Sequence, residues 1–197
     1  IVADIEWAEA GTGSQFSCAR GVAGDVYCWG LNDLGQVGDD SGVSQPTPVR
    51  VGGPYDALAV GHFHACALRG DQVDCWGNNS AGQGGTDPAV AAVLPTPTPV
   101  ATSERFIDIY AGRRHTCARN PGRVEAVCGI AADSRLFCWG SNSRGQLGQG
   151  DVDPRVGLQE VGGTWRAVTG GVRHTCGIRT DGTLWCWGRG SDCQLGP

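Results

Sequence analysis

The tripeptide Cys-Trp-Gly occurs four times in this chain, at Cys28-Trp29-Gly30, Cys75-Trp76-Gly77, Cys138-Trp139-Gly140 and Cys186-Trp187-Gly188, with intervals of 47, 63 and 48 residues. Repetition on that scale marks an architecture whose units cannot bury an apolar face alone and must stack on one another. Each copy runs on into a second shared stretch: Asn32-Asp33-Leu34-Gly35-Gln36-Val37-Gly38, Asn78-Asn79-Ser80-Ala81-Gly82-Gln83-Gly84-Gly85, Asn142-Ser143-Arg144-Gly145-Gln146-Leu147-Gly148 and a degraded Ser191-Asp192-Cys193-Gln194-Leu195-Gly196. Ahead of each stands another cysteine, in Phe16-Ser17-Cys18, His64-Ala65-Cys66, His115-Thr116-Cys117 and His174-Thr175-Cys176.

Side-chain alternation and Gly/Pro punctuation predict four short strands per unit, in the second unit Ala57–Val60, His64–Leu68, Val73–Gly77 and Thr98–Ala101. With 33 glycines, 10 prolines, no methionine and no stretch of 3.6-residue apolar spacing, long helices are not expected. The predicted class is all-β, a β-propeller of four-stranded blades. It occupies residues 1–197 as one region, with blade repeats at about 1–53, 54–103, 104–163 and an incomplete 164–197.

The pattern Gly-x-x-His-x-Cys-x-Leu, then Cys-Trp-Gly-x-Asn-x-x-Gly-Gln-Leu-Gly, then Pro-x-Pro-Val resembles the repeat of the regulator-of-chromosome-condensation family across nearly the whole chain. Its cysteine-rich form is similar to secreted bacterial members. The resemblance implies a seven-bladed propeller, whereas the fourth repeat here stops at Gly196-Pro197, before its Pro-x-Pro-Val strand. The expectation is therefore a part of a larger propeller; completion of an open edge by another chain and a closed four-bladed ring are the alternatives.

Ten cysteines in a glycine-rich β protein point to an oxidising compartment, so the expected location is extracellular or cell-surface. Cys18 and Cys28 enclose nine residues, Cys66 and Cys75 eight, and Cys176 and Cys186 nine, which lets each pair face across a hairpin at disulfide distance. In the third repeat Cys128, with the same nine-residue spacing to Cys138, takes the stapling role; residues 119–127 then read as an insertion. Cys117 and Cys193 are left over, to pair with each other or elsewhere. Zinc is a poor alternative, because these spacings are not Cys-x-x-Cys knuckles; no metal and no cofactor is expected.

The net charge of −5, without a run of Lys or Arg, offers no footprint for nucleic acid, and no apolar stretch reaches the length of a membrane-spanning helix. A start at Ile1 rather than Met reads as processing or truncation. The recurrent His64, His115 and His174 share one repeat position that Phe16 fills in the first unit, so they read as packing. The Cys-Trp-Gly tryptophans read as inter-blade packing, as do Trp7 and Trp165, while Trp185 reads as outward-facing. Arg69-Gly70-Asp71 at a hairpin tip resembles an adhesion loop, but turn residues are expected there in every unit. Asn78-Asn79-Ser80 fits a glycosylation acceptor, though its Asn belongs to the repeat. No nucleophile elbow or carboxylate pair stands apart from the repeat, and the chain is not expected to be an enzyme.

What remains is a binding or adhesion module whose partner is a protein or cell-surface ligand, held by variable blade loops at 39–45, 84–94, 119–127 and 149–155. The candidate residues are Asp39, Asp40, Asp87, Arg119, Arg123, Glu125, Asp151 and Asp153. The alternatives are an inhibitor of a secreted enzyme, since the resembled family includes a propeller that caps a β-lactamase, and a structural subunit that self-assembles through its open fourth blade.

Overall fold

The computed structural model describes residues 5–111, 115–119, 135–171 and 173–196; for 115–119 only the backbone is described. Four antiparallel sheets follow one another along the chain. The first holds β1 (Trp7–Thr12), β2 (Phe16–Gly21), β3 (Val26–Gly30) and β4 (Gln45–Gly52); the second β5 (Ala57–Val60), β6 (His64–Arg69), β7 (Gln72–Asn78) and β8 (Val93–Pro99). The third holds β9 (Asp108–Ala111), β10 (His115–Arg119), β11 (Leu136–Gly140) and β12 (Arg155–Val161); the fourth β13 (Trp165–Gly170), β14 (His174–Arg179) and β15 (Leu184–Gly188). Every pairing joins sequence neighbours, so each sheet is a meander and each meander is one blade of a propeller.

The outer strands correct the predicted boundaries. In the second blade the strand is Val93–Pro99, not Thr98–Ala101. Pro95, Pro97 and Pro99 alternate along it, so the positions without an N–H lie on one side. An outermost strand tolerates that arrangement because its far side pairs with nothing.

The core lies between blades, not within them. Trp76 of the second blade packs into a cluster with Phe16, Val26 and Val37 of the first. Trp139 of the third packs with Leu68, Val73 and Val100 of the second, and Trp187 of the fourth with Leu136 and Leu147 of the third. Trp76 and Trp139 are fully buried. Trp165 is buried as expected, whereas Trp7 stays 37% exposed, edge-on to Tyr27, and Trp185 is 50% exposed. His64 is fully buried and His174 partly so, which fits packing in that column.

Disulfides join Cys18 to Cys28, Cys66 to Cys75 and Cys176 to Cys186, each across directly opposed strand positions with Cα separations of 4.0 to 4.1 Å. In the third blade the register sets Cys117 opposite Cys138, which is disulfide-bonded. Cys117 thus holds the strand position that the spacing argument gave to Cys128, and the extra length of this repeat falls in the connection between β10 and β11. Cys128 itself lies outside the described residues. Cys193 is a free, exposed thiol with φ of 61°, at the repeat position held by Gly35, Gly82 and Gly145.

Candidate binding surfaces

The connections β3–β4, β7–β8 and β11–β12 join the last two strands of their blades, and meander topology puts all three on one face of the propeller. Each begins with the Asn and Gln of the repeat. The side-chain oxygen of Asn32 accepts from the Val37 amide at 2.9 Å, that of Asn79 from Gly84 at 2.8 Å, and that of Asn142 from Leu147 at 2.9 Å. The Oε1 atoms of Gln36, Gln83, Gln146 and Gln194 accept from the amides of Leu34, Ala81, Arg144 and Asp192 at 2.7 to 2.9 Å. Buried amides replace backbone pairing in a tight turn, which is what such a turn needs in a water-poor interface.

The turn then hands on a carbonyl. Trp76 Nε1 donates to the Gln36 carbonyl at 3.2 Å, Trp139 Nε1 to that of Gln83 at 3.0 Å, and Trp187 Nε1 to that of Gln146 at 3.0 Å. The tryptophans of the second, third and fourth blades are therefore each latched to the loop of the blade before. Gly38 must be glycine here: its φ is 82°, and a Cβ would meet the Trp76 ring at 2.7 Å.

Two predicted loop residues face inward. Asp39 Oδ1 accepts from Asn32 Nδ2 at 2.8 Å and from the Ser41 hydroxyl at 2.8 Å, and its Oδ2 from Gln45 Nε2 at 2.7 Å. Partial burial works to raise its pKa, but the hydrogen bonds from Ser41, Asn32 and Gln45 outweigh that and hold the carboxyl below the usual range. Asp151 repeats the device, accepting from Asn142 Nδ2 at 2.9 Å and pairing with Arg155 at 2.5 Å. Asp39 and Asp151 thus clamp their own loops. Asp40, Asp87 and Asp153 are exposed. Beside them the same loops expose Val43 (63%), Val90 (80%) and Val152 (59%), residues that charge-based reading passed over; their signal was an apolar side chain in an otherwise polar loop. Arg119 is in β10, with its side chain not described, and Arg123 and Glu125 lie outside the described residues.

On the opposite face, the Arg69-Gly70-Asp71 tip has both charges engaged: Arg69 pairs with Asp74 at 3.1 Å and Asp71 with Arg105. Arg69 also stacks over the Tyr55 ring at 4.6 Å, and Tyr55 donates its hydroxyl to Asp74 at 3.0 Å. Burial, reinforced by the Asp74 charge, pushes the Tyr55 phenol above its ordinary pKa.

Blades of four antiparallel strands, stacked through a recurring tryptophan, define a β-propeller segment. Residues 23–68, 71–119 and 133–178 match the Regulator of chromosome condensation (RCC1) repeat, and 56–83 and 165–194 match a second form of that repeat. The chain belongs to the RCC1 repeat family. Its fold is similar to yeast RCC1 (Prp20) in complex with Kap60, at 18% identity and a TM-score of 0.78 over 100% of this chain and 46% of that one. It is also similar to human WBSCR16, at 18% identity and 0.81 over 98% and 50%, and to the ectodomain of the Physcomitrella patens receptor kinase CR4, at 23% identity and 0.61 over 94% and 42%. The chain spans about half the length of these relatives or slightly less.

Proposed function

We propose that this propeller is a non-enzymatic extracellular binding module that holds a protein partner on the face formed by its β3–β4, β7–β8 and β11–β12 loops. The observation that carries this reading is the division of labour within each loop. Buried Asn and Gln side chains fix the backbone, while the same loop exposes a valine and a carboxylate: Val43 and Asp40, Val90 and Asp87, Val152 and Asp153. Rigid apolar points in a polar rim lose little entropy on docking and bury area on contact. A complementary partner presents apolar side chains flanked by Lys or Arg, which matches the net charge of −5. The hairpin disulfides support an oxidising location.

The test is a triple substitution, V43S/V90S/V152S, compared with a triple substitution of exposed residues on the opposite face, in retention of partners from the extracellular fluid of the source organism. The loop variant should lose the partner and the control should keep it, with both retaining the wild-type circular dichroism; retention by the loop variant would sink the reading.

A further inference from the structure

The residue just before each Cys-Trp-Gly forms a column, Tyr27, Asp74, Phe137 and Trp185, aromatic in three blades and a carboxylate in one. Where the column is aromatic in the third and fourth blades, an arginine covers the ring: Arg135 lies over Phe137 at 5.1 Å and Arg179 over Trp185 at 4.1 Å. The second blade keeps the arginine but not the ring. Arg69 lies over Tyr55 of the inter-blade linker, as Arg179 also lies over Trp165, and with no ring in the column beside it Asp74 borders a cleft of about 470 Å³ between the first and second blades. Val51, Tyr55, Pro97 and Pro99 give it apolar walls, with Arg69 and Asp74 as its polar groups.

The charges in the cleft cancel, since Asp74 Oδ2 accepts from both Tyr55 and Arg69. A fully charged ligand would therefore have to break the pair to bind. Asp74 Oδ1 accepts no hydrogen bond among the described residues, although the side chain is only 10% exposed. A carboxylate oxygen with no donor from the protein, bordering the cleft, can accept one from a ligand. Proline walls and a half-exposed guanidinium favour the face of a ring.

The geometry points to a pocket for one aromatic side chain bearing a hydrogen-bond donor, tyrosine or tryptophan, supplied by an extended segment of a protein partner. The ring takes the place that the other blades fill with their own Tyr, Phe or Trp, and its O–H or N–H donates to Asp74 Oδ1. The pocket lies on the hairpin side of the blades, opposite the loop face, and does not depend on the loop reading.

The probes are N-acetyl-tyrosinamide and N-acetyl-tryptophanamide, with the phenylalanine and arginine analogues as comparison, titrated into the intact chain and followed by backbone amide NMR. The tyrosine and tryptophan probes should give saturable shifts at 52–55, 69–74 and 97–100, with the phenylalanine probe about fivefold weaker for want of the donor. Asp74→Phe, which restores the ring of the other blades, should abolish the shifts. Arg69→Gln, which leaves Tyr55 and Asp74 bonded to each other, should weaken binding with the disulfide hairpin resonances unmoved, so the conclusion does not rest on the folding of one variant. Absence of saturable shifts, equal binding of phenylalanine, tighter binding of the arginine probe, or undiminished binding in either folded variant would overturn the proposal.

Discussion

At the scale of single residues, the repeat dictates what it repeats and leaves silent what it does not. The stapling cysteines and latching tryptophans were legible because their chemistry recurs at one position per blade. Asp74 was not, since it departs once from an otherwise aromatic column, and only its contact with Tyr55 across the linker gives it meaning. Asp39 and Asp151 looked like surface charge because they sit at different distances, seven and nine residues, from the asparagine each one binds. The buried Tyr55 phenol makes a pH prediction. Its pKa in the fold is raised above the unfolded value of about 10, so its contribution to stability is complete below that pH and is lost as pH rises through the folded value. Alkaline unfolding followed by circular dichroism should be steeper in the wild type than in Tyr55→Phe. Identical pH profiles would show that another group governs it.

At the scale of the element, the four-strand blade was read correctly and its last strand was not. The Pro-x-Pro-Val strand was recognised, but in the second blade it was started at Thr98, whereas β8 begins at Val93 and carries its prolines inside an outer strand, where half of the backbone donors have no partner to lose. In the third blade, residue spacing pointed to Cys128 while the pairing of β10 with β11 put Cys117 opposite Cys138. Spacing measures the length of a connection and is misled when that connection grows. Each staple closes a hairpin of about ten residues, a constraint on the unfolded chain of about 2.5 to 3 kcal/mol. The double variant C66A/C75A should therefore lose about that much in urea unfolding under oxidising conditions. An unchanged midpoint would mean that the β6–β7 hairpin is held without its bond.

At the scale of the whole molecule, the blades are joined by interfaces that the repeat predicted in kind, tryptophan against the neighbouring blade, but not in direction. Trp76, Trp139 and Trp187 each reach back to the loop of the preceding blade, and among the described residues Trp29 makes no such bond. In a stack of this type stability is close to a sum of unit and interface contributions. Trp76→Ala should cost about 3 to 5 kcal/mol. Hydrogen exchange should then rise in β2 and β3 of the first blade and remain protected in β11 and β12 of the third; uniform loss of protection would show a single cooperative block. The direction of the latch also sets an order of assembly. A polypeptide leaving the ribosome finishes each Gln carbonyl before the indole that needs it has been synthesised, so every new blade meets a completed docking surface and can add to the growing arc while the next blade is still being made.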